Sequence, residues 1–333
     1  MYIIIYIIIS FNILENMNTN NNTNNNTNNG FIKDTEILMF NGEIKKIQDI
    51  QIGELVMGDN NIPLKVNNMN TNQDELYIIS HCNNDDNYIV NKDFILTLNF
   101  IYPKNIIEFE TYYSVKWFDN DTITVKSVKF SYNKKNKKKM HNSATSYLNN
   151  IKENRMVYIK VFDYLQLSEK MQSKLHGIKN LVTFYPKKTS FDPYMIGNLE
   201  GINIYGMVEN TNISDKYKCN TTNIRFSYLA GVIDSYGHIQ DDKYVIEIPE
   251  YNNYVKDLMF MIKSLLLNCI YKDGLLIIYG NKVIKIPTQK LKIVSILNKY
   301  SNKLQAEKYE INTYYTLQFD KDIKFLLGNC IVV

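Results

Sequence analysis

The chain has 333 residues, a formal charge of +4 and 45% hydrophobic residues, enough for one large domain or two modest ones, and this excludes a wholly disordered chain. Of its 38 basic side chains only Arg155 and Arg225 are arginines, so recognition of guanines by bidentate arginines has little to work with, and any basic surface must be local. Cys82, Cys219, Cys269 and Cys330 show no CxxC and no paired histidine spacing, which predicts reduced, mostly buried thiols in an intracellular compartment and no metal site.

Met1 to Leu14 is almost continuously apolar but shorter than the ~20 residues of a membrane span, and it lacks the basic region and cleavage site of a signal peptide. Met17 is an alternative start. From Asn16 to Asn29 every residue except Met17 is Asn or Thr, a tract that cannot bury enough apolar area to fold, so the folded protein is expected to begin near Gly30.

Short strands are predicted over 35–39 and 43–47, turned at Asn41-Gly42, and again over 52–58. Further strands are expected at 88–90, 94–98, 111–117 and 122–130. Lys126, Lys129, Lys134, Lys135, Lys137, Lys138 and Lys139 form a run of seven lysines without an acid, followed by a helix around 143–153. Helices are predicted at 192–206, 228–237, 254–267 and 289–299, and strands at 275–279, 282–286, 314–319 and 325–333.

The run GFIKDTEILMFNGEIKKIQDIQIGELVMG (30–58) resembles the opening block of inteins and Hint domains. LAGVIDSYG (229–237) resembles the helix of LAGLIDADG homing endonucleases, and FLLGNCIVV (325–333) resembles the penultimate strand of the same inteins. The block order is similar to that of the yeast vacuolar-ATPase intein endonuclease and the related mating-type switching (HO) endonuclease. The resemblance covers residues 30–333 and is weakest between 70 and 190.

This resemblance implies three requirements for protein splicing: a Cys or Ser nucleophile at the first position, a histidine that activates the scissile amide, and a terminal His-Asn pair. Here the first position is Gly30. The segment Asn91-Lys-Asp-Phe94 puts Phe94 where the imidazole belongs, and the chain stops at Val333 before the terminal pair. Gly328-Asn329-Cys330 imitates a splice junction but lies within the expected last strand. For cleavage, two helices should pack through small residues, each ending in a carboxylate that brings a divalent metal to the scissile phosphates. Those acid positions fall on Tyr236 and, in YMIGNLEGIN (194–203), on Ile202. Asp234 and Glu200 are the nearest carboxylates, each two residues away and therefore on a different side of its helix. Lys303 loosely matches a basic residue near the family active site.

The expected fold is α+β: a β-rich Hint module built from both chain ends and enclosing a shortened LAGLIDADG α/β endonuclease-like domain. The expected divisions are a leader (1–29), an N-terminal Hint module with an inserted DNA-recognition region (30–190), the endonuclease-like domain (191–308) and C-terminal Hint strands (309–333). The functional expectation is a degenerate, stand-alone homing-endonuclease homologue, nuclear or cytoplasmic and monomeric, that binds double-stranded DNA through the seven lysines and not a membrane. Splicing is expected to be lost with Gly30 and Phe94. Cleavage is expected to be lost too, Asp234, Glu200 and Lys303 being the residues on which any remaining Mg²⁺-dependent activity would rest. The alternatives are an active Mg²⁺-dependent, site-specific double-strand endonuclease of the HO type, and an intein relic that binds no nucleic acid.

Overall fold

The computed structural model describes residues 29–81, 86–203, 211–296, 303–320 and 324–333. The apolar stretch Met1 to Leu14, the Asn/Thr tract up to residue 28 and Cys82 lie outside them. Gly30–Ile32 (β1) leads into a hairpin of Glu36–Leu38 (β2) and Ile44–Lys46 (β3). Its turn needs Gly42, whose φ of +93° a Cβ would strain. Leu55–Met57 (β4) pairs with the start of Pro63–His81 (β5), a 19-residue strand, and Asn87–Asn91 (β6) and Ile95–Phe100 (β7) follow.

Two compact bodies emerge: Phe100–Val157, and Asn29–Asn99 with Tyr158–Val333. In the smaller body, Asn105–Glu108 (β8), Tyr112–Asp119 (β9) and Thr124–Ser131 (β10) form an antiparallel sheet with β9 central. The helix Lys137–Asn150 (α1) starts six residues before its expected position and packs on the face carrying Tyr113 and Val115. Its C-terminal carbonyls would otherwise lack partners. Lys104 Nζ donates to the carbonyls of Leu148 (2.8 Å) and Ile151 (2.7 Å), a cation where the helix dipole favours one.

Met156–Lys160 (β11) runs across the boundary at Val157, and the larger body continues with Val161–Gln166 (α2), Glu169–Gln172 (α3) and Leu175–Gly177 (β12). Pro193–Ile202 (α4) opens with proline in its first turn, and the Asp192 carboxylate accepts the Met195 N–H at 3.0 Å. Asp215–Lys218 (α5) and Thr222–Tyr236 (α6) precede a hairpin, Gly237–Gln240 (β13) and Lys243–Glu247 (β14). Asn253–Ser264 (α7), Asn268–Lys272 (β15) and Leu275–Tyr279 (β16) complete this unit, a sheet in the order β13-β14-β16-β15. Its core joins Leu229 and Ile233 of α6, Leu258 and Ile262 of α7, and Tyr244, Ile246, Leu276 and Ile278 of the sheet.

The last long strand, Leu304–Phe319 (β17), pairs with β5 from Leu304↔His81 to Phe319↔Val66. It also pairs with β1, which pairs with β6, which pairs with β5, so the four strands close on one another. The architecture is thus α+β with a β-rich module drawn from both chain ends.

Three sequence expectations are corrected. Residues 282–286 hold a 3-10 turn at Val283–Lys285 in place of a strand. Residues 289–296 are irregular where a helix was expected, and 297–299 lie outside the described residues. The amides of Gln289, Lys290 and Leu291 bond the Asp234 carboxylate and so are not available to helical carbonyls. The segment 325–333 is joined only by isolated bridges, such as Ile37↔Leu327 and Lys179↔Ile331, because a Leu327 to Cys330 turn interrupts it. Among the described residues no helix is long and apolar enough to cross a membrane.

One buried ionic cluster ties the terminal strands to the helical unit. The Asp86 carboxylate accepts from Lys179 and from α7 Lys263, both at 2.6 Å, with Asp86 and Lys179 side chains each 5% exposed. Burial would raise the Asp86 carboxyl, but the two ammonium groups outweigh it and hold it below the ordinary carboxylate range. D86N leaves two lysines without their counter-charge and should cost about 3–5 kcal/mol in urea unfolding at pH 7. Because the folded-state pKa is depressed, this contribution is complete above the ordinary carboxylate pKa and is lost as pH falls through the lower folded value. The difference between wild type and D86N should therefore shrink on acidification.

Candidate functional site

Three groups of residues bear on function. The first lies where β1, β6 and β17 meet. The Gly30 N–H donates to Asn91 Oδ1 at 2.9 Å, and Gly30 faces Thr316 across the ladder. A Cβ on Gly30 would fall 1.8 Å from Cδ2 and 2.5 Å from Cε2 of Tyr314, so the phenol ring occupies the space of any side chain at this position. Phe94 is buried, edge-on to Phe31 with ring centres 5.0 Å apart, and Phe31 in turn meets Phe325 of the C-terminal segment. Cys330 is buried, and burial pushes its thiol up to about 12, far from thiolate formation at neutral pH.

The second group is the helix pair. Helices α4 and α6 cross at glycines: a Cβ on Gly197 would lie 2.0 Å from the Tyr228 carbonyl oxygen, and one on Gly231 would lie 2.1 Å from that of Tyr194. Only glycine permits backbones to touch this closely. At the ends of the pair, Ile202 is exposed and Tyr236 is partly buried against the core. Asp234 is buried. Its Oδ2 accepts from Gln289 N (2.5 Å) and Tyr194 Oη (3.1 Å), and its Oδ1 accepts from Lys290 N (3.1 Å) and Leu291 N (3.0 Å). The half-buried Glu200 accepts from Tyr228 Oη, and burial raises its carboxyl against the opposing effect of that bond. Lys303 sits just before β17, bridged to His176.

Arg225, one of the two arginines, is fully buried. Its guanidinium donates to the carbonyls of Asn220 and Val182 and to Ser264 Oγ, and burial lowers its pKa to about 10. It is a strut between α6 and α7 and cannot reach a ligand.

The third group is the smaller body. It holds eleven Lys and Arg against five acids, a local charge of +6 in a chain that totals +4. All seven lysines of the run are exposed. Lys126 pairs with Asp119, and Lys137 pairs with Glu108 at 2.6 Å while lying 5.4 Å above the Tyr132 ring. Lys129 lies 4.8 Å above the Tyr112 ring on the sheet face opposite the helix. Lys134, Lys135, Lys138 and Lys139 form no ion pair among the described residues.

A family model described as Hom_end-associated Hint matches residues 30–333. The chain belongs to this homing-endonuclease-associated Hint family. No protein of curated function matches the sequence. Within the Hint frame the structure brings Gly30, Asn91 and Phe94 to one place, and it brings Asp234 and Glu200 to the same helix pair. Lys303 and the lysine run belong to other parts of the chain. Sequence reasoning missed Tyr314, whose role depends on strand register and has no local motif.

The packing at Gly30 makes a direct prediction. G30C should destabilise by about 1–3 kcal/mol through overpacking, and in a Y314A background the same change should cost markedly less. Urea denaturation of the four proteins in this cycle measures the coupling.

Proposed function

We propose that this Hint-family protein is a stand-alone homologue of LAGLIDADG homing endonucleases that binds duplex DNA without cutting it and does not splice. The observation that carries the reading is the separate compact body of charge +6, whose exposed lysines lie along a sheet and at a helix start. Lys137, Lys138 and Lys139 occupy the first turn of α1, where the helix dipole disfavours cations; that turn holds no acidic residue, and only Lys137 is offset, by Glu108 of β8. Cations placed against local helix preference on an exposed surface suit a polyanion partner.

The loss of splicing is supported by the glycine at the nucleophile position, the Tyr314 ring above it and Phe94 in place of an imidazole. For cleavage, the family chemistry calls for Mg²⁺ held by a carboxylate at the end of each helix. The residues present do not fit that group. Ile202 and Tyr236 offer no carboxylate, Asp234 already accepts four hydrogen bonds, and Glu200 is drawn into the core by Tyr228. Among the described residues no three His, Cys, Asp or Glu side chains are grouped to hold a metal.

Binding to a random-sequence duplex should be measured from 50 to 200 mM salt. The lysine run should contribute about 4.5 to the magnitude of the log–log slope if its five lysines outside ion pairs each meet a phosphate, and about 6 if all seven do, at ~0.9 per contact. Replacing Lys134, Lys135, Lys138 and Lys139 with Gln should lower it by ~3.6. A slope near zero for the unaltered protein would refute DNA binding. Supercoiled plasmid should stay uncut in Mg²⁺, and intact mass should correspond to an unspliced chain.

A further inference from the structure

A second basic segment lies in the larger body, and its shape depends on Asp234. Between Asp273 and Glu307 the sequence has six lysines and no acidic residue. Lys285, Lys290 and Lys292 are exposed, Lys282 is partly exposed, and none of the four forms an ion pair among the described residues. The stretch from Thr288 to Ile293 is a strap, bent at Gln289 and Lys290 and fixed at two points. Three successive amides, those of Gln289, Lys290 and Leu291, converge on the Asp234 carboxylate. Tyr244 Oη contacts Thr288 Oγ1 and the Leu291 carbonyl, both at 3.2 Å, and accepts the Ile293 N–H at 3.4 Å.

Asp234 stands in the last turn of α6, where the dipole disfavours a carboxylate, so its hydrogen bonds to the strap stabilise it there. With Thr288 and Ile293 buried beneath, the strap holds Lys290 and Lys292 toward solvent. Burial and the neighbouring Lys285 ammonium both lower the Lys282 pKa, so this end of the surface already carries crowded positive charge.

We infer that Lys282, Lys285, Lys290 and Lys292 form a second contact surface for the duplex DNA backbone, with Asp234 as the positioning residue that shapes its strap. This rests on the DNA-binding reading but uses a different set of lysines in a different body. The carboxylate that resembles a nuclease acid thus serves as the anchor of a phosphate-binding strap.

The test measures salt-dependent binding of the full chain to a random-sequence duplex. K282Q/K285Q/K290Q/K292Q should reduce the magnitude of the log–log slope by ~3.6 while the lysine-run substitutions still lower what remains. D234N should weaken binding and speed hydrogen exchange at the 289–291 amides. In a K290Q/K292Q background, D234N should have no further effect on binding, because its influence passes through those two lysines. An unchanged slope in the quadruple variant overturns the second surface while leaving DNA binding by the smaller body intact. An equal D234N loss in both backgrounds overturns the positioning role. Absence of binding by the unaltered chain overturns both readings.

Discussion

The pairing of β5 with β17 is the constraint on which the rest of the molecule depends. One strand comes from the first quarter of the chain and the other from its end, and their register runs from Leu304↔His81 to Phe319↔Val66. Bringing together residues separated by more than two hundred positions carries a loop-closure cost that only an extended ladder can offset. The ring of β17, β1, β6 and β5 satisfies strand edges that would otherwise be open. With the ends joined, the chain between them is free to carry the smaller body and the helical unit.

The same ladder decides what the terminal module can do chemically. It sets Tyr314 over Gly30 and fills the space that a side chain at this position would need. Around that point the packing is aromatic, with Phe31, Phe94 and Phe325 in edge contact. Titratable groups would be poorly served by such surroundings, while a structural joint between the terminal strands is well served by them. The Asp86 cluster adds an electrostatic tie from this joint to α7, so the terminal module and helical unit share one buried interaction.

The helix pair is likewise defined by its contacts. Gly197 and Gly231 preserve backbone contact, which no other residue allows, yet the carboxylates around the pair are committed elsewhere: Asp234 to strap amides and Glu200 to Tyr228. Because the buried Arg225 is also committed to the core, the exposed cations that remain are mainly lysines, which attract phosphate as point charges and offer little bidentate base recognition.

By itself the sequence determined features whose signals are local. The Asn41-Gly42 turn, the β16 strand, the amphipathic helix near 254–267, the glycine-rich helix pair and the seven-lysine run follow from neighbouring residues, and the ordered blocks at both ends carry the Hint resemblance. Only tertiary structure decided the 19-residue β5, because its polar middle has no hydrophobic alternation and gains its hydrogen bonds from β17. It likewise decided the Tyr314 ring over Gly30 and the strap at 288–293, where a helix pattern yields to the Asp234 carboxylate. In each case the partner is distant in sequence: local periodicity specifies which face of an element is apolar, whereas the atom that meets it is fixed by packing.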